Sequence, residues 1–546
     1  MINSKYICLF LFFSLVSIAA FSQDGLPTEE VDVIKSFNAR LINAEKVEVK
    51  PQLPPLDTTT LRQEYNILTK TILVEYLPPK IRPLSISKDK LQKGYNGYLK
   101  LGAGLPNSVY ALGTYNFNSG KQFDMGLDVY HYSANNNSKV ENQRFGDTEL
   151  GAHGTYYFDQ GFAINGQLGY TSNTVHFYGY NDINEEFDRD IHFDRSDVKQ
   201  NFATFEGKAS IFNGERTEAD FNYGAGIQFY FLQDDYAARE NGFVIDLSAT
   251  KWFNGAHPLS IKLITDFTSY KREEKNSLNN FYLQPSYTYH GDRFKVKLGL
   301  NLASNEDEFS FFPDIEASAN VIEGILGVYA GATGNLQKNS FRNLSDYNPF
   351  IQSRVEVKNT KYYDLFGGVK GNAFGIEYNA KIGYKVSDDL AMFLLTDYDA
   401  EIARFDVLYD TVSIFYINGT VSAPLFKGLE VIGTISQSVF SPDHQEKAWH
   451  LPTTSITASA IYTTEDNKLR FKGDFFLENG VPYKNQNEVA ENLNALFDIS
   501  VGAEYFFTEN IGGFIQLNNL ANNKRQRWHR YPVMGLNVLA GISARF

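Results

Sequence analysis

The stretch FNYGAGIQFYF, residues 221–231, carries the pattern that decides the fold. Its apolar residues fall at every second position, and Asn, Gly, Gln and Tyr occupy the positions between them. One apolar face and one polar face are typical of a half-buried β-strand. The same alternation recurs in QFDMGLDVY (122–130) and RFKVKLGLNL (293–302). These segments run to about 10–14 residues, whereas soluble strands average about 5–6 and a tilted strand needs about 9–11 to cross a bilayer.

Short turns alternate with longer polar connections along the chain. Ten short turns are predicted, near residues 118–121, 159–161, 213–216, 254–257, 290–292, 321–324, 370–372, 425–428, 465–467 and 508–510. Most intervening connections are longer, as in 133–146, 181–200, 337–354 and 479–494. Ten inner turns and eleven outer loops would join 22 strands. The sequence therefore predicts an all-β fold over residues 94–546: a transmembrane antiparallel β-barrel of about 22 strands, with short periplasmic turns and longer extracellular loops.

The chain ends in GLNVLAGISARF, residues 535–546, which has the same two-faced pattern. Backbone groups in lipid must all be paired within the protein, so the sheet must close on itself. We expect this segment to be the closing strand, with its even-numbered residues toward lipid and Asn537, Ser543 and Arg545 toward the lumen or the rim. The alternative is a secreted solenoid, propeller or sandwich, but the long strands do not suit a sandwich and no blade-like repeat is visible.

Composition and the N-terminus narrow the class of protein. The net charge of -14 argues against a nucleic-acid partner. Lys5 and the apolar run from Ile7 to Ala20 predict a secretory signal peptide over residues 1–22, cleaved near Ser22, and hence export to the cell outer membrane. The one cysteine, Cys8, lies inside that signal. A mature protein without cysteine would have no disulfide, thiolate metal site, cysteine nucleophile or lipoprotein anchor.

The barrel region resembles a known family. Residues 513–520, an Arg- and Tyr-rich loop and the final strand are similar to the last hairpin of TonB-dependent receptors of Bacteroidota. The resemblance implies a barrel inserted among outer-membrane lipid and lipopolysaccharide. It also implies that the terminal aromatic residue, Phe546, is the signal read by the barrel assembly machinery.

The N-terminal segment departs from that family, whose members carry a folded plug domain of well over a hundred residues. Only residues 23–93 separate the signal from the first strand, and six prolines there favour extended backbone. We expect a periplasmic or lumen-filling segment that lacks the standard plug. A short acidic and apolar element in it is similar to the one that such receptors offer to TonB: Glu30, Val31, Asp32, Val33 and Ile34. The alternative for this element is a plain periplasmic tail.

A 22-stranded barrel has a lumen that is normally plugged. There are three candidates for what fills the lumen: the segment 23–93, outer loops that fold inward, or a partner. Charged residues predicted on lumen-facing positions, which would set the electrostatics of the interior, are Asp124, Asp128, Lys295 and Lys297. A basic cluster in the last outer loop could pair with lipopolysaccharide phosphates, and its members are Lys524, Arg525, Arg527 and Arg530. The alternative is an ordinary charged loop.

Catalytic and metal-binding patterns are weak in this sequence. The nine histidines are scattered, with no two at metal-ligand spacing on one strand face, so we predict no enzyme, no metal site and no cofactor. Two weaker alternatives are a metal at His444 and His450 and a calcium ion in the acidic loop 181–197.

The predicted function is passage or uptake of a polar solute across the outer membrane, with TonB or a surface lipoprotein as a further partner. The alternative is a non-transporting structural subunit of an outer-membrane assembly, secretion or surface complex.

Overall fold

The computed structural model describes residues 94–119, 122–305, 308–395 and 401–546. The predicted signal peptide, the segment 23–93 and the TonB-like element Glu30–Ile34 lie outside these residues. Within them, 22 strands form one sheet, two short strand pairs lie in loops, and two short helices are present.

The strands of the large sheet are longer than those of most soluble proteins. Their bounds are β1 (Gly97–Leu105), β2 (Ser108–Ser119), β3 (Phe123–Asn135), β4 (Arg144–Tyr157), β5 (Phe162–His176), β6 (Lys199–Asn213), β7 (Phe221–Asp234), β8 (Arg239–Phe253), β9 (His257–Lys271), β10 (Lys275–His290), β11 (Phe294–Asn305), β12 (Glu308–Ile322), β13 (Leu326–Asn339), β14 (Lys358–Ala373), β15 (Ile376–Leu395), β16 (Phe405–Phe426), β17 (Leu429–Pro442), β18 (Thr454–Thr463), β19 (Leu469–Asn479), β22 (Leu496–Phe506), β23 (Ile511–Asn518) and β26 (Asn537–Arg545). The loop elements are α1 (Tyr180–Phe187), α2 (Phe341–Tyr347), β20 (Pro482–Lys484), β21 (Ala490–Asn492), β24 (Gln526–Trp528) and β25 (Tyr531–Pro532).

The large sheet is a closed barrel. Each strand pairs antiparallel with the next strand of the sheet, and β26 pairs with both β23 and β1. Leu101 faces Ile542 across the closing pair. At its end the Gly97 N–H donates to the Phe546 carbonyl at 2.8 Å, and the Phe546 N–H donates back at 3.0 Å. The predicted 22-stranded antiparallel barrel is confirmed.

The ten predicted short turns all join consecutive strands at one end of the barrel. One of them is displaced from the predicted residues 370–372, because β14 continues to Ala373. The turn consists of Phe374 and Gly375, with φ values of 56° and 83°. Two consecutive positive φ values give the twist that a two-residue hairpin requires. Sequence reasoning favoured Gly371-Asn372 because phenylalanine is rare in that conformation.

The outer surface of the barrel is apolar. On β7, Tyr223, Ile227 and Phe231 are exposed, whereas Tyr230 and Leu232 on the other face are buried. On the closing strand, Ile542 is 64% exposed and Ser543 is 1% exposed. The alternation predicted from the sequence therefore puts apolar residues outside, the reverse of a soluble sandwich. No helix of the described residues is both long enough and apolar enough to cross a membrane.

Candidate functional site: a cap of outer loops

The loops at the end opposite the short turns pack together, and we call them the loop cap. The loop cap comprises residues 136–143, 177–198, 340–357, 401–404, 443–453, 480–495 and 519–536. Apolar side chains from four of these loops (177–198, 340–357, 401–404 and 519–536) and from the adjoining strand ends form one buried cluster, which includes Phe177, Tyr178, Tyr180, Phe341, Phe350, Ile351, Phe393, Phe405, Trp528 and Tyr531. A core built from loop residues means that the cap is a packed structure rather than a set of separate loops.

The hairpin of β24 and β25 lies at the centre of the loop cap. Tyr531 is 1% exposed, and its ring stacks on that of Phe350 with the centroids 3.8 Å apart. Tyr178 meets Tyr531 edge-on at 5.1 Å. The Tyr531 hydroxyl donates to the carbonyl of Ala403. One side chain thus contacts three other loops, and its buried hydroxyl has a partner, as a buried polar group requires.

Two arginines of the same hairpin are held by carboxylates. Arg530 is 1% exposed, and its Nη1 lies 3.0 Å from Glu186 and 3.9 Å from Asp182. The Arg527 Nε lies 2.5 Å from a Glu478 oxygen at the end of β19. These ion pairs connect the hairpin to α1 and to the barrel wall. A buried guanidinium is tolerated only with such partners.

The ion pairs limit which residues of the basic cluster could contact lipopolysaccharide. Arg527 and Arg530 are directed into the loop cap, where no lipid phosphate can replace their carboxylate partners without breaking the packing. Lys524 and Arg525 are exposed. A lipopolysaccharide contact of this cluster therefore depends on those two residues, and it stays a prediction.

The loop cap lies across the mouth of the barrel. β5 and β15 are ten strands apart in the 22-stranded ring, so their loops leave from opposite sides. Nevertheless a Cβ atom built on Gly179 would lie 3.2 Å from the Cβ of Ala403. Loops from opposite sides of a closed ring can meet only over its opening. Of the three occupants considered for the lumen, inward-folded outer loops are therefore present at this end.

The loop 340–357 is also fastened to the inner wall. The buried carboxylate of Glu240 on β8 accepts the Phe341 N–H at 2.6 Å, the Arg342 N–H at 3.3 Å and the Tyr230 hydroxyl at 2.8 Å. Just before the loop, Lys338 lies 2.7 Å from Asp266 of β9. α2 begins here because Ser340 caps it, its side chain accepting the Asn343 N–H. Carboxylates of two wall strands, β8 and β9, thus hold the start of this loop in place.

Two histidines of the loop cap, His450 and His529, have lowered pKa values. His450 Nδ1 lies 2.7 Å from the Phe393 carbonyl, and its ring stacks on Trp528 at 5.5 Å. Burial lowers the pKa of His450 to about 3. Burial, with the Arg530 charge as a smaller cause, lowers the pKa of His529 to about 3. Both imidazoles are therefore neutral at physiological pH.

The predicted lumen charges all lie on strand faces opposite to exposed apolar side chains. Lys297 lies 2.6 Å from Asp314 on the neighbouring strand, and Asp128 lies 3.5 Å from His153. Asp124 shares the face of Asp128, four residues away on β3, and Lys295 shares the face of Lys297, two residues away on β11. A recess of about 540 Å³ in this wall is lined in part by Asp128, His153, Gln167, Glu206 and Lys208.

The terminal Phe546 is 56% exposed and stacks on Tyr115 with the ring centroids 6.0 Å apart. Its ring lies at the rim where β26 meets β1, and its role as an assembly signal stays a prediction. Among the described residues, no group of three or more His, Cys, Asp or Glu side chains is placed to hold a metal ion. His444 instead contacts Asp410 at 2.8 Å, and His450 lies in the loop cap.

Sequence reasoning missed the aromatic centre of the loop cap. The available signal was an aromatic-rich run, HFYGY at residues 176–180, immediately before the predicted polar loop 181–200, together with Trp528 and Tyr531 beside the arginines. Which loops would meet could not be derived, because loop partners distant in sequence have no periodicity.

Comparison with known proteins gives structural neighbours only. No family model matches the sequence, and no curated protein matches it. The ferric-catecholate import receptor Fiu from E. coli K12 aligns with a TM-score of 0.63 at 8% identity, over 83% of this chain and 82% of that one. The FrpB iron transporter from Neisseria meningitidis aligns with a TM-score of 0.62 at 12% identity, over 84% of this chain and 82% of that one. The outer-membrane ferripyoverdine receptor of Pseudomonas aeruginosa aligns with a TM-score of 0.59 at 10% identity, over 84% of this chain and 72% of that one. These similarities establish a shared barrel fold.

Proposed function

We propose that this chain is an outer-membrane barrel that passes or takes up a polar solute, and that the loop cap must open for passage. The observation that carries the proposal is a closed barrel with a polar inner wall whose outer mouth is covered by its own loops. Charged and amide side chains along the inner wall would set the electrostatics of a path for a polar solute.

The outer-membrane location is supported by the exposed surface. A large apolar surface is stable in contact with lipid and prone to aggregation in water. Exposed aromatic side chains near the short-turn end would form an interfacial girdle, and they include Phe253, Phe294, Phe374, Phe426 and Phe507. We propose that the signal peptide over residues 1–22 directs export and that Phe546 is read during barrel assembly.

The structural neighbours support receptor-like uptake, since they are a ferric-catecholate import receptor, an iron transporter and a ferripyoverdine receptor of the outer membrane. For this chain we propose only that the transported solute is a polar molecule. TonB would contact Glu30–Ile34, and a surface lipoprotein would be a further partner. We likewise propose that the chain is related to the TonB-dependent receptors of Bacteroidota.

A second function is favoured by one observation, the apolar core of the loop cap. A gate that opens often is expected to be weakly packed, whereas this cap buries aromatic side chains and ion pairs. A permanently closed barrel would suit a structural subunit of an outer-membrane assembly, secretion or surface complex.

Single-channel conductance in planar bilayers separates these functions. Four proteins are compared: the mature chain, a form lacking residues 23–93, a form with residues 524–533 replaced by a Gly/Ser linker, and a form with both changes. The transport proposal predicts a closed mature chain and steady conductance once the occupants are removed. Closure of all four forms, together with stable co-purification of other outer-membrane proteins, would favour the structural role. Conductance by the mature chain would mean an open porin.

A further inference from the structure

Three cations form a row on the outer surface of the barrel. Arg239 of β8 is directly opposite Lys271 of β9, and Lys271 is directly opposite Lys275 of β10. All three side chains are exposed. They stand at the loop end of their strands, on the same faces as the exposed Phe243 and Phe267, because these residues are four positions away. The row is therefore outside the barrel, above its apolar surface.

The strand registers place a graded surface beneath this row. A second row crosses the same strands at positions two residues nearer the short turns, and it consists of Asn241, Ser269 and Ser277. Two residues further, Phe243 lies opposite Phe267. Four residues of a strand span about 13 Å, so cations, hydrogen-bonding groups and aromatic rings follow one another over that distance. This order matches the order of phosphate, glycerol or sugar, and acyl chain at a membrane surface.

The three cations lack counter-charges of their own. Like charges directly opposite on neighbouring strands destabilise a sheet. Within the described part of the chain, none of the three has a carboxylate within ion-pair distance. The turn between β9 and β10 carries Glu273 and Glu274, and Glu273 lies 3.4 Å from Arg354. Three adjacent cations without counter-charges repel one another, and this repulsion destabilises the sheet. An anion bound from outside the protein would neutralise them.

We propose that Arg239, Lys271 and Lys275 bind the phosphorylated headgroup of an outer-leaflet lipid. Neighbouring strands are about 4.8 Å apart, so the row spans about 10 Å and suits a headgroup that carries more than one phosphate. The continuity with the polar and aromatic rows selects a lipid rather than a free anion, since the acyl chains then lie along the apolar surface. The proposal rests on the outer-membrane location given above, and it assigns lipid binding to residues other than Lys524 and Arg525.

The test uses the full mature chain purified in a non-ionic detergent. Native mass spectrometry measures binding of diphosphoryl lipid A, with inorganic phosphate and phosphatidylcholine as separate competitors. The triple variant Arg239→Gln/Lys271→Gln/Lys275→Gln should bind about 100-fold more weakly, because each cation near a lipid surface contributes about a fivefold factor. The matched control Lys139→Gln/Arg189→Gln/Lys447→Gln removes the same charge from exposed parts of the loop cap, and its affinity should change less than twofold.

Each outcome decides the proposal. Unchanged affinity in the triple variant, or a loss in the control instead, overturns it. Displacement of lipid A by millimolar inorganic phosphate also overturns it, since the row would then be a simple anion site. If the triple variant does not fold, as judged by the loss of heat-modifiable mobility on gels, Lys271→Gln and Lys271→Arg replace it. The first should weaken binding about fivefold and the second should not. Binding in detergent does not depend on conductance, so a failure here is distinct from a failure of the transport proposal.

Discussion

Replacement of Arg530 by glutamine should loosen the loop cap without affecting the barrel. Arg530 is buried, and it is the cation that holds the hairpin to Glu186 and Asp182 of α1. Removing one partner from a fully buried ion pair costs about 3–5 kcal/mol. Here Glu186 is 43% exposed and Asp182 is 28% exposed, so both can regain water. A discounted cost of about 2 kcal/mol is expected for cap closure.

The cost is measurable as the accessibility of a cysteine in the cap. Ala403 is 1% exposed beneath Tyr531, and Cys8 is the one cysteine of the sequence, inside the predicted signal peptide. In an Ala403→Cys background, maleimide labels only the open cap. A change of about 2 kcal/mol in closure should raise the labelling rate about 30-fold in the Arg530→Gln variant.

The control for this experiment is Arg525→Gln. Arg525 is an exposed cation of the same loop whose Nη1 donates to the Ala495 carbonyl at 2.7 Å. Its replacement should change labelling less than about twofold, because an exposed polar contact contributes little. Equal labelling rates for Arg530→Gln and the parent, with the barrel intact, would refute the claim that this ion pair holds the loop cap shut.

Three further predictions test other parts of the account. Glu240→Ala removes the acceptor of the Phe341 N–H, so deuterium exchange at that amide should accelerate about 30-fold for a loss of about 2 kcal/mol, and an unchanged rate would mean that the loop is held elsewhere. The pKa of His450 is depressed to about 3 in the folded cap against about 6.5 when exposed, so its contribution to cap stability is complete above about pH 6.5 and declines as pH falls toward 3. Labelling of the Ala403→Cys cap, expressed relative to labelling of the denatured protein at the same pH because the thiolate fraction itself falls with pH, should rise over that range, and His450→Gln should flatten the rise. Phe546→Ala should reduce the amount of assembled barrel in the outer membrane, while the purified barrel loses at most about 1 kcal/mol of stability, because the ring is half exposed; an equal loss in both settings would indicate a purely structural role.

The barrel could be predicted from the sequence because its determinants are local. Alternation with a period of two fixes which side chains of a strand face outward, as in β7 with Tyr223 and Ile227 outside and Tyr230 inside. Turn residues fix where strands end, and the count of turns fixes the number of strands. The one displaced turn, at Phe374-Gly375, uses a residue that seldom adopts positive φ, so the local signal there pointed to a neighbouring glycine.

The loop cap could not be predicted because its determinants are distant in the sequence. Arg530 and Glu186 are far apart along the chain, and nothing in either loop specifies the other. The same arginines beside Lys524 resembled a phosphate-binding cluster when only sequence neighbours were visible. The row of Arg239, Lys271 and Lys275 was hidden for the same reason, since it appears only when the registers of three strands are known.

Closure of the mouth by loops from opposite sides is the central claim, and one disulfide tests it directly. Gly179 has a φ of -60°, which any residue adopts, and its Cβ would lie 3.2 Å from that of Ala403. Disulfides have Cβ atoms about 3.5–4.5 Å apart, so a small shift suffices. In the Gly179→Cys/Ala403→Cys variant, the account predicts a disulfide in most molecules within intact outer membranes, seen as a mobility shift that reductant reverses. Two free thiols, both labelled quickly by maleimide in a folded barrel, would contradict it.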